Sequence, residues 1–313
     1  MAKANNYGLR TRDLGKAGRF AVNAVAREGQ MGYATAAAVG QRWQAFAAFA
    51  KAEGVKRLEY VTAQLVASYG QAIATRVAAG ELSAAYGQNL VSAINTVMGH
   101  ATRGEWQSVS PTKDAGIAHR VNVRTAIPDG LDRQAVTVVS DDLRSAGMAN
   151  GAAIVELARD LGLRAKEASL LNAHKALQEA RDTGRVTIAH GTKGGRIRTL
   201  PITSERQLAT LAYASRVQGS ARSLVPTGQT WAKWEDGGLR QTREMLQEHG
   251  ISRIHELRSA YAMERYQAIT GHLPPMMGGA ASRSADRAAR LAVAQELGHS
   301  RIAIVVNYIG GAR

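Results

Sequence analysis

Four residues in the last sixty positions have side chains suited to work on a phosphate group. His255 and Arg258 lie three positions apart, so a helix would place them on one face. His299 follows a Leu-Gly pair, and Tyr308 comes nine positions later. An arginine fork matches two phosphate oxygens, an imidazole can donate a hydrogen bond or move a proton, and a deprotonated phenol is a nucleophile. These residues indicate a phosphate-handling site with Tyr308 as its nucleophile.

Two further cations and one acid come earlier in the chain. Arg164 follows a Gly-Leu pair, and Glu167 lies one helical turn after it. Lys193 sits near the tip of a predicted Gly-rich hairpin. Taken singly, each has an ordinary alternative. The His-x-x-Arg pair is common on surface helices, a lysine is common in polar turns, and Tyr308 is also compatible with a core aromatic.

The charge of the chain points to a polyanionic partner. The formal net charge is +15 and the pI is about 10.4. Residues 1–120 carry 14 Lys and Arg against 7 Asp and Glu, and the remaining residues have an excess of 8. Because both halves are basic, the surplus does not come from a tail, and nucleic acid is the expected partner.

Several classes of protein are disfavoured by what the sequence lacks. There is no cysteine, which excludes disulfides and Cys-ligated zinc. The first six residues have no apolar core of a signal peptide, and no stretch approaches eighteen apolar residues, so we expect a cytoplasmic protein without a membrane partner. The histidines show no metal-ligand spacing, the acids form no convincing cluster, and Gly15-Lys16-Ala17 lacks the rest of a phosphate-binding loop. We therefore expect no metal, ATP or other cofactor.

The hydrophobic pattern predicts a mainly α-helical fold in two domains. The first domain covers residues 1–118 and consists of four amphipathic helices with Gly-marked ends that form a helical bundle. It begins with a polar arm at residues 1–12 that we expect to be mobile. Periodicity lapses between Gly104 and Gly130, which we interpret as the interdomain connection. Residues 119–313 are predicted to be an α+β domain. It has helices near 131–146, 152–161, 204–217, 231–248, 252–270, 283–297 and 301–309, and a β-hairpin within 185–202.

The order of the motifs resembles one known family. Gly-Leu-Arg-x-x-Glu is followed by the hairpin Gly-Thr-Lys-Gly-x-x-x-Arg-x-x-Pro-Ile, then His-x-Leu-Arg, Leu-Gly-His, and a tyrosine nine residues on. This set resembles the catalytic domain of the tyrosine recombinases, the phage-integrase and Xer-like family, over residues 131–313. The helical bundle is similar to that family's SAM-like core-binding domain in size and placement only. The resemblance implies that the two domains form a clamp on DNA.

The resemblance implies a role for each candidate residue. Tyr308 would attack the DNA phosphodiester and form a 3′-phosphotyrosyl link with a free 5′-hydroxyl. Arg164 and Arg258 would neutralise the non-bridging oxygens, and His299 would donate a hydrogen bond to them. His255 would act as a general base or orienting group, Lys193 would protonate the leaving 5′-oxygen, and Glu167 would support the site.

The expected activity is site-specific DNA recombination that integrates or excises a mobile element in a prokaryotic or phage system. The implied partners are double-stranded recombination sites, further copies of the chain in a tetramer, and accessory DNA-bending or directionality proteins. Two alternatives stay open, namely strand relaxation in the manner of a type IB topoisomerase and DNA binding without catalysis on an integrase scaffold. Further basic residues are candidates for DNA contacts: Arg42, Lys51, Lys56, Arg57, Arg120, Arg124, Arg196 and Arg198.

Two features depart from the family pattern. Arg258 and Tyr308 are 50 positions apart, which is longer than in compact members, and we interpret Gly271–Asp286 as an inserted loop. Only five residues follow Tyr308 in this sequence, whereas many members use a longer tail to dock on a neighbouring subunit. The way in which protomers would engage is therefore open.

Overall fold

A computed structural model describes residues 5–311 and divides them between two compact units, Met1–Val121 and Asn122–Arg313. The first four residues of the predicted arm and the last two residues of the tail lie outside the described part. Within that part, no helix is long and apolar enough to cross a membrane. The chain is mainly helical with one two-stranded antiparallel sheet, as the hydrophobic pattern predicts.

The first unit is a bundle of four helices around an aromatic core. Asp13, Thr62 and Ser83 cap three of them by accepting hydrogen bonds from backbone N–H groups, as short polar side chains do at helix starts. Trp43 is fully buried and donates to the Leu14 carbonyl at 3.1 Å. The helices are α1 (Leu14–Arg27), α2 (Tyr33–Ala52), α3 (Ala63–Ala78) and α4 (Ala84–Ala101).

The described part of the N-terminal arm, residues 5–12, is anchored, contrary to our expectation of a mobile segment. Asn6 is fully buried, and its side-chain oxygen accepts from the Leu58 amide at 2.8 Å. Its amide nitrogen donates to the Thr11 carbonyl at 2.7 Å. The side chain of Asn6 thus bonds the arm to itself at Thr11 and to the rest of the bundle at Leu58.

The second unit contains ten helices and the hairpin among its described residues. Its central helices are α6 and α12, and α12 is buried on several sides, as expected for a helix at the centre of a unit. The helices are α5 (Arg133–Ser145), α6 (Ala149–Leu161), α7 (Ala165–Leu170), α8 (Ala173–Thr183), α9 (Glu205–Gln218), α10 (Trp231–Asp236), α11 (Gly238–Glu248), α12 (Ile254–Thr270), α13 (Arg283–Glu296) and α14 (Val306–Ile309).

The hairpin forms where alternation predicts it. Strands β1 (Arg185–Ile188) and β2 (Arg198–Pro201) pair antiparallel, with Ile188 opposite Arg198. Val186, Ile188 and Leu200 face the core, which fixes the register because a shift by one residue would expose them. The hairpin therefore holds the loop between its strands, which carries Lys193, on a fixed base.

Three predicted elements differ from the structure. The helix predicted over 231–248 is divided at Gly237, and the ring of Trp234 occupies the space that a side chain at position 238 would need. The helix predicted over 301–309 is a 3-10 turn at Ile302–Val305 followed by α14, since 3-10 geometry is common where a helix begins. The predicted insertion ends earlier than Asp286, because α13 begins at Arg283.

Candidate active site

The end of α6 places the first candidate arginine. Gly162 adopts a left-handed conformation with φ of 64°, and a Cβ there would lie 2.4 Å from the ring of Tyr261. Glycine thus permits the close approach of α6 and α12. Arg164 is the N-cap residue of α7, and its guanidinium donates to Glu167 at 2.6 Å and to the Leu297 carbonyl at 3.4 Å.

The α12 helix places Arg258 beside Arg164, since both side chains reach the carbonyl of Leu297. The side chain of Arg258 is fully buried and donates to the carbonyls of Gly162 and Leu297. Burial lowers its pKa to about 10, so it remains charged at neutral pH. Leu297 is the C-cap residue of α13, so its carbonyl has no partner within the helix. This carbonyl accepts from both candidate arginines.

Glu167 is the buried anion that keeps these cations together. It is fully buried, and both its oxygens accept from Arg198, at 2.8 Å and 2.7 Å. Arg164 donates to it, and Arg258 lies 3.6 Å away. Burial opposes ionisation, but the hydrogen bonds from Arg198 and Arg164 prevail and hold the pKa of Glu167 at about 2.

Tyr308 is buried in the cleft formed by these elements. It is 4% exposed, and its hydroxyl lies 3.0 Å from Nε2 of His299. The ring centroids of His255 and His299 each lie 5.5 Å from the centroid of the tyrosine ring. The Cζ atom of Arg258 lies 5.9 Å from the same ring. Of the two histidines, His299 is therefore the one that contacts the phenol oxygen.

Both histidines are uncharged at neutral pH. Burial, and then the positive charge of Arg258, lowers the pKa of each ring to about 4. His255 is the more exposed of the two, so solvent weakens these effects there. A neutral imidazole has one nitrogen that donates and one that accepts, so each ring can take up a proton as well as donate a hydrogen bond.

The cleft itself has a volume of about 640 Å³ and is bordered by cations. Lys193 is exposed in the loop between β1 and β2, and it has no hydrogen-bond partner within residues 5–311. Gly191 begins this loop, and a Cβ there would lie 2.7 Å from the Lys166 carbonyl, so the loop passes close over the backbone of α7. The structure thus brings all six predicted residues to one place: Arg164, Lys193, His255, Arg258, His299 and Tyr308 line the cleft or its floor.

Two residues predicted to contact DNA have other contacts. Arg198 is buried, binds Glu167 with two nitrogens, and donates from Nε to the Glu296 carbonyl at 2.7 Å. Arg124 donates to Glu256, to Ser259 at 3.2 Å and to the Ala126 carbonyl at 2.8 Å. Because these guanidinium groups are occupied by buried or half-buried acceptors, the structure corrects both predictions, and we assign the two arginines to internal support.

The remaining predicted DNA contacts stay predictions. Arg196 is exposed on the border of the cleft. Arg120 and Lys56 are exposed, and Lys51 is exposed but paired with Asp13 at 2.7 Å. Arg42 and Arg57 are half-buried, and Arg57 donates to backbone carbonyls.

Comparison with known proteins gives the family of this site. Residues 123–264 match the protein-family model described as "Integrase". The matched residues make up most of the second unit, and the fold is that of the tyrosine recombinases. No curated protein sequence matches the chain.

Solved tyrosine recombinases share the fold at low sequence identity. A Tn1549 transposon integrase in complex with transposon right-end DNA has a TM-score of 0.61 and 12% identity, covering 95% of each chain. A XerH site-specific recombinase bound to a palindromic difH substrate has a TM-score of 0.58 and 17% identity, covering 94% of this chain and 79% of its own. A lambda integrase tetramer bound to a Holliday junction has a TM-score of 0.54 and 14% identity, covering 90% and 72%.

Within the part that the structure describes, no group of three or more histidine or acidic side chains is placed to hold a metal ion. The candidate site is formed by arginine, lysine, histidine and tyrosine side chains. These groups can neutralise, protonate and attack a phosphodiester.

Proposed function

We propose that this integrase is a site-specific DNA recombinase that cuts and rejoins strands through a 3′-phosphotyrosyl link to Tyr308. The observation that supports this most directly is the position of the phenol. Its oxygen lies 3.0 Å from a neutral imidazole, beside a buried, charged arginine and at the edge of a cleft bordered by Lys193 and Arg164.

The chemistry follows from these positions. A phosphodiester carries a negative charge that repels a phenolate, and Arg164 and Arg258 offset that charge at the non-bridging oxygens. His299 is in hydrogen-bond contact with the phenol, so its neutral ring can accept the phenol proton. The ring of His255 lies 5.5 Å from the tyrosine ring and assists as a base or orienting group. Lys193, exposed in the loop between β1 and β2, donates a proton to the leaving 5′-oxygen.

The product keeps the energy of the broken ester in a new one. The tyrosyl oxygen bonds to phosphorus, the bond to the 5′-oxygen breaks, and that oxygen leaves as a hydroxyl. Attack by a 5′-hydroxyl reverses the step and releases the tyrosine, so the reaction needs no ATP. We expect cleavage to proceed in the presence of a metal chelator.

The solved relatives support DNA recombination sites as the substrate and a tetramer as the assembly. The XerH recombinase is bound to difH DNA, the Tn1549 integrase is bound to transposon right-end DNA, and lambda integrase is a tetramer bound to a Holliday junction. We extend these properties to the present chain as part of the proposal, together with a role in integrating or excising a mobile element within a prokaryotic cytoplasm. The net charge of +15 fits a DNA partner.

Trapping the intermediate tests the proposal. Binding sites selected from a random duplex library supply the DNA, and a nick placed near the cut position lets the short 5′-hydroxyl fragment diffuse away. The wild-type protein is expected to form a denaturant-resistant adduct whose peptide map identifies Tyr308. Tyr308→Phe removes the nucleophilic oxygen but not the ring, so the adduct should disappear while DNA affinity is retained.

A matched control is Tyr213→Phe, which removes a phenol oxygen outside the cleft, on α9. That variant is expected to form the adduct at the wild-type rate. An adduct that survives Tyr308→Phe would contradict the assignment of the nucleophile. Products limited to relaxed circles, without recombinant joints, would indicate a topoisomerase instead.

A further inference from the structure

The chain segment that follows Tyr308 is held by a buried arginine on α13. Arg290 is 5% exposed and donates from one terminal nitrogen to the Gly310 carbonyl at 3.1 Å. Its Nε donates to both oxygens of Asp286 at 2.9 Å. The same carboxylate accepts from the hydroxyl of Tyr266 on α12 at 2.8 Å. This chain of bonds connects α12 and α13 to the backbone two residues after the nucleophile.

The loop between α12 and α13 supports the same point from another side. Met276 and Met277 pack against the apolar cluster that includes Tyr308 and Ile309. Gly310 has a φ of 87°, and a Cβ there would lie 2.7 Å from Cβ of Met276. Only glycine fits this conformation and this contact without strain, so the loop and the end of α14 are closely matched.

The loop is itself a compact turn. Amides of Met277 and Gly279 donate to the Pro274 carbonyl at 2.8 Å and 3.3 Å. A Cβ on Gly279 would lie 1.7 Å from the Leu273 carbonyl, so the turn closes tightly. A segment with this many internal contacts can act as a rigid surface.

The start of α14 has an anchor as well. The Val306 carbonyl accepts from the Arg124 amide at 2.9 Å. Tyr308 therefore lies between two backbone carbonyls, at positions 306 and 310, that are each bonded to a different element. These two contacts restrain the backbone of the one-turn helix on either side of Tyr308.

Burying Arg290 has an energetic cost that packing alone does not explain. Its second terminal nitrogen is buried and has no hydrogen-bond partner within residues 5–311. A buried donor without a partner costs about 1–3 kcal/mol, which an apolar side chain of similar size would avoid. The fork of Arg290 joins the Gly310 carbonyl to the carboxylate of Asp286, which an apolar side chain could not do.

We infer that Arg290, oriented by Asp286 and Tyr266, is a positioning residue that fixes Tyr308 for attack, and that the loop at residues 271–282 completes this support through Met276. The inference rests on the proposed function and extends it, because it gives the segment between α12 and α13 a role in delivering the nucleophile. Arg290 itself touches neither the phenol nor the cleft. It acts through the backbone of Gly310.

The test compares Arg290→Lys, Met276→Ala and Arg287→Lys. A lysine at 290 keeps the charge but lacks the fork that reaches Asp286 and Gly310 together. Arg287 is exposed on the same helix, and Arg287→Lys is the matched control. Rates of adduct formation are measured in single turnovers at saturating protein on the nicked substrate, and DNA affinity is measured separately. Hydrogen exchange of the peptide covering residues 302–311 is followed in the free protein.

Arg290→Lys is expected to slow adduct formation by about tenfold to 100-fold, because a small displacement of a reacting group has effects of that size. Met276→Ala should slow it in the same direction. Both should speed exchange in residues 302–311 with DNA affinity unchanged, and Arg287→Lys should match the wild type. If Arg290→Lys fails to fold, Met276→Ala carries the test alone.

Wild-type adduct rates in both Arg290→Lys and Met276→Ala would overturn the inference while the proposed function stood. A fall in DNA affinity as large as the fall in rate would also overturn it, since the effect would then lie in binding. If the wild-type protein formed no adduct at Tyr308, the proposed function would fail. Unchanged hydrogen exchange at residues 302–311 in both variants would show that Arg290 and Met276 do not hold this segment in place.

Discussion

Arg164 and Arg258 share one acceptor, the carbonyl of Leu297, although like charges repel. The buried carboxylate of Glu167 lies against both and offsets that repulsion. The two cations are thus already gathered before any phosphate arrives. In our proposal a bound phosphodiester then meets an arranged site, and little reorganisation is needed.

Lys193 differs from these arginines because it is exposed and is bonded to no other described residue. If it protonates the leaving 5′-oxygen, Lys193→Ala should slow cleavage by about 10²–10⁴-fold, the usual contribution of a general acid. On a substrate with sulfur in place of that bridging oxygen, the Lys193→Ala variant should cleave at a rate near that of the wild type, because a thiolate leaves without a proton.

The control for this prediction is Lys175→Ala, which removes an exposed lysine on α8. Its cleavage rates on both substrates should equal those of the wild type. A Lys193→Ala defect of equal size on the sulfur substrate would show that the lysine acts in some other way.

At the scale of residues, the sequence holds more information about Arg198 than about Arg124. Arg198 is two positions before Leu200 on β2, so strand alternation already places it on the buried face. The charge of Arg198 alone favours a DNA contact, whereas its position on the strand indicates a buried side chain. Arg124 lies in a stretch without periodicity, and only the folded chain shows that it reaches Glu256.

At the scale of elements, the site lies where α7, the hairpin, α12 and the end of α13 meet, and Glu167 is the shared partner. Removing its charge leaves buried cations uncompensated, which typically costs about 3–5 kcal/mol. Glu167→Gln is therefore expected to lower the free energy of unfolding by about that amount, measured by urea denaturation. Glu248→Gln, an exposed acid on α11, should change it little.

The same carboxylate predicts a dependence on pH. Because the folded-state pKa of about 2 is below the ordinary value of 4.5, the unfolded chain binds a proton first as the pH falls. The contribution of Glu167 is complete above pH 4.5 and is lost as the pH falls toward 2. The wild type should lose this stability in acid, and a Glu167→Gln curve parallel to the wild-type curve there would contradict the account.

Elements with large apolar stripes and clear caps were predictable, and those without were not. Thr62 and Ser83, short polar residues that precede apolar stripes, cap α3 and α4. The helix α8 was not predicted, because its buried face consists of Ala173, Ala176 and Ala180, which give a weak hydrophobic signal. The division at Gly237 depends on the position of a tryptophan ring, which no periodicity reveals.

At the scale of the molecule, one chain in our proposal supplies both the nucleophile and the groups around it. Tyr308 contacts His299 of its own chain, and its ring lies near Arg258 of that chain. A mixture of Tyr308→Phe and Arg258→Ala proteins should therefore form no adduct, since neither protomer holds a complete site. Gel analysis of protomers that differ in length measures which of them is linked to DNA.

A mixture of wild-type and Tyr308→Phe proteins is the control, and only its wild-type protomers should become linked. Adduct formation by the two defective proteins together would show that the tyrosine enters a neighbour's site. The order of five motifs along the sequence predicts that their six candidate residues form one site, and the structure brings those residues to one cleft. The motif set does not predict that Arg290 and the loop at residues 271–282 contact the end of α14, because those contacts involve none of its residues.

The two acceptors that hold Arg258, the carbonyls of Gly162 and Leu297, belong to the main chain. A base change in the gene can alter a side chain, but it cannot delete a peptide carbonyl. At position 297, any apolar replacement that leaves the end of α13 in place would preserve the contact with the arginine. The acceptor at position 297 is therefore protected against most single mutations. Sequence drift among descendants of this gene should be tolerated there more readily than at Arg258 or at Gly162, whose close packing against Tyr261 requires a glycine.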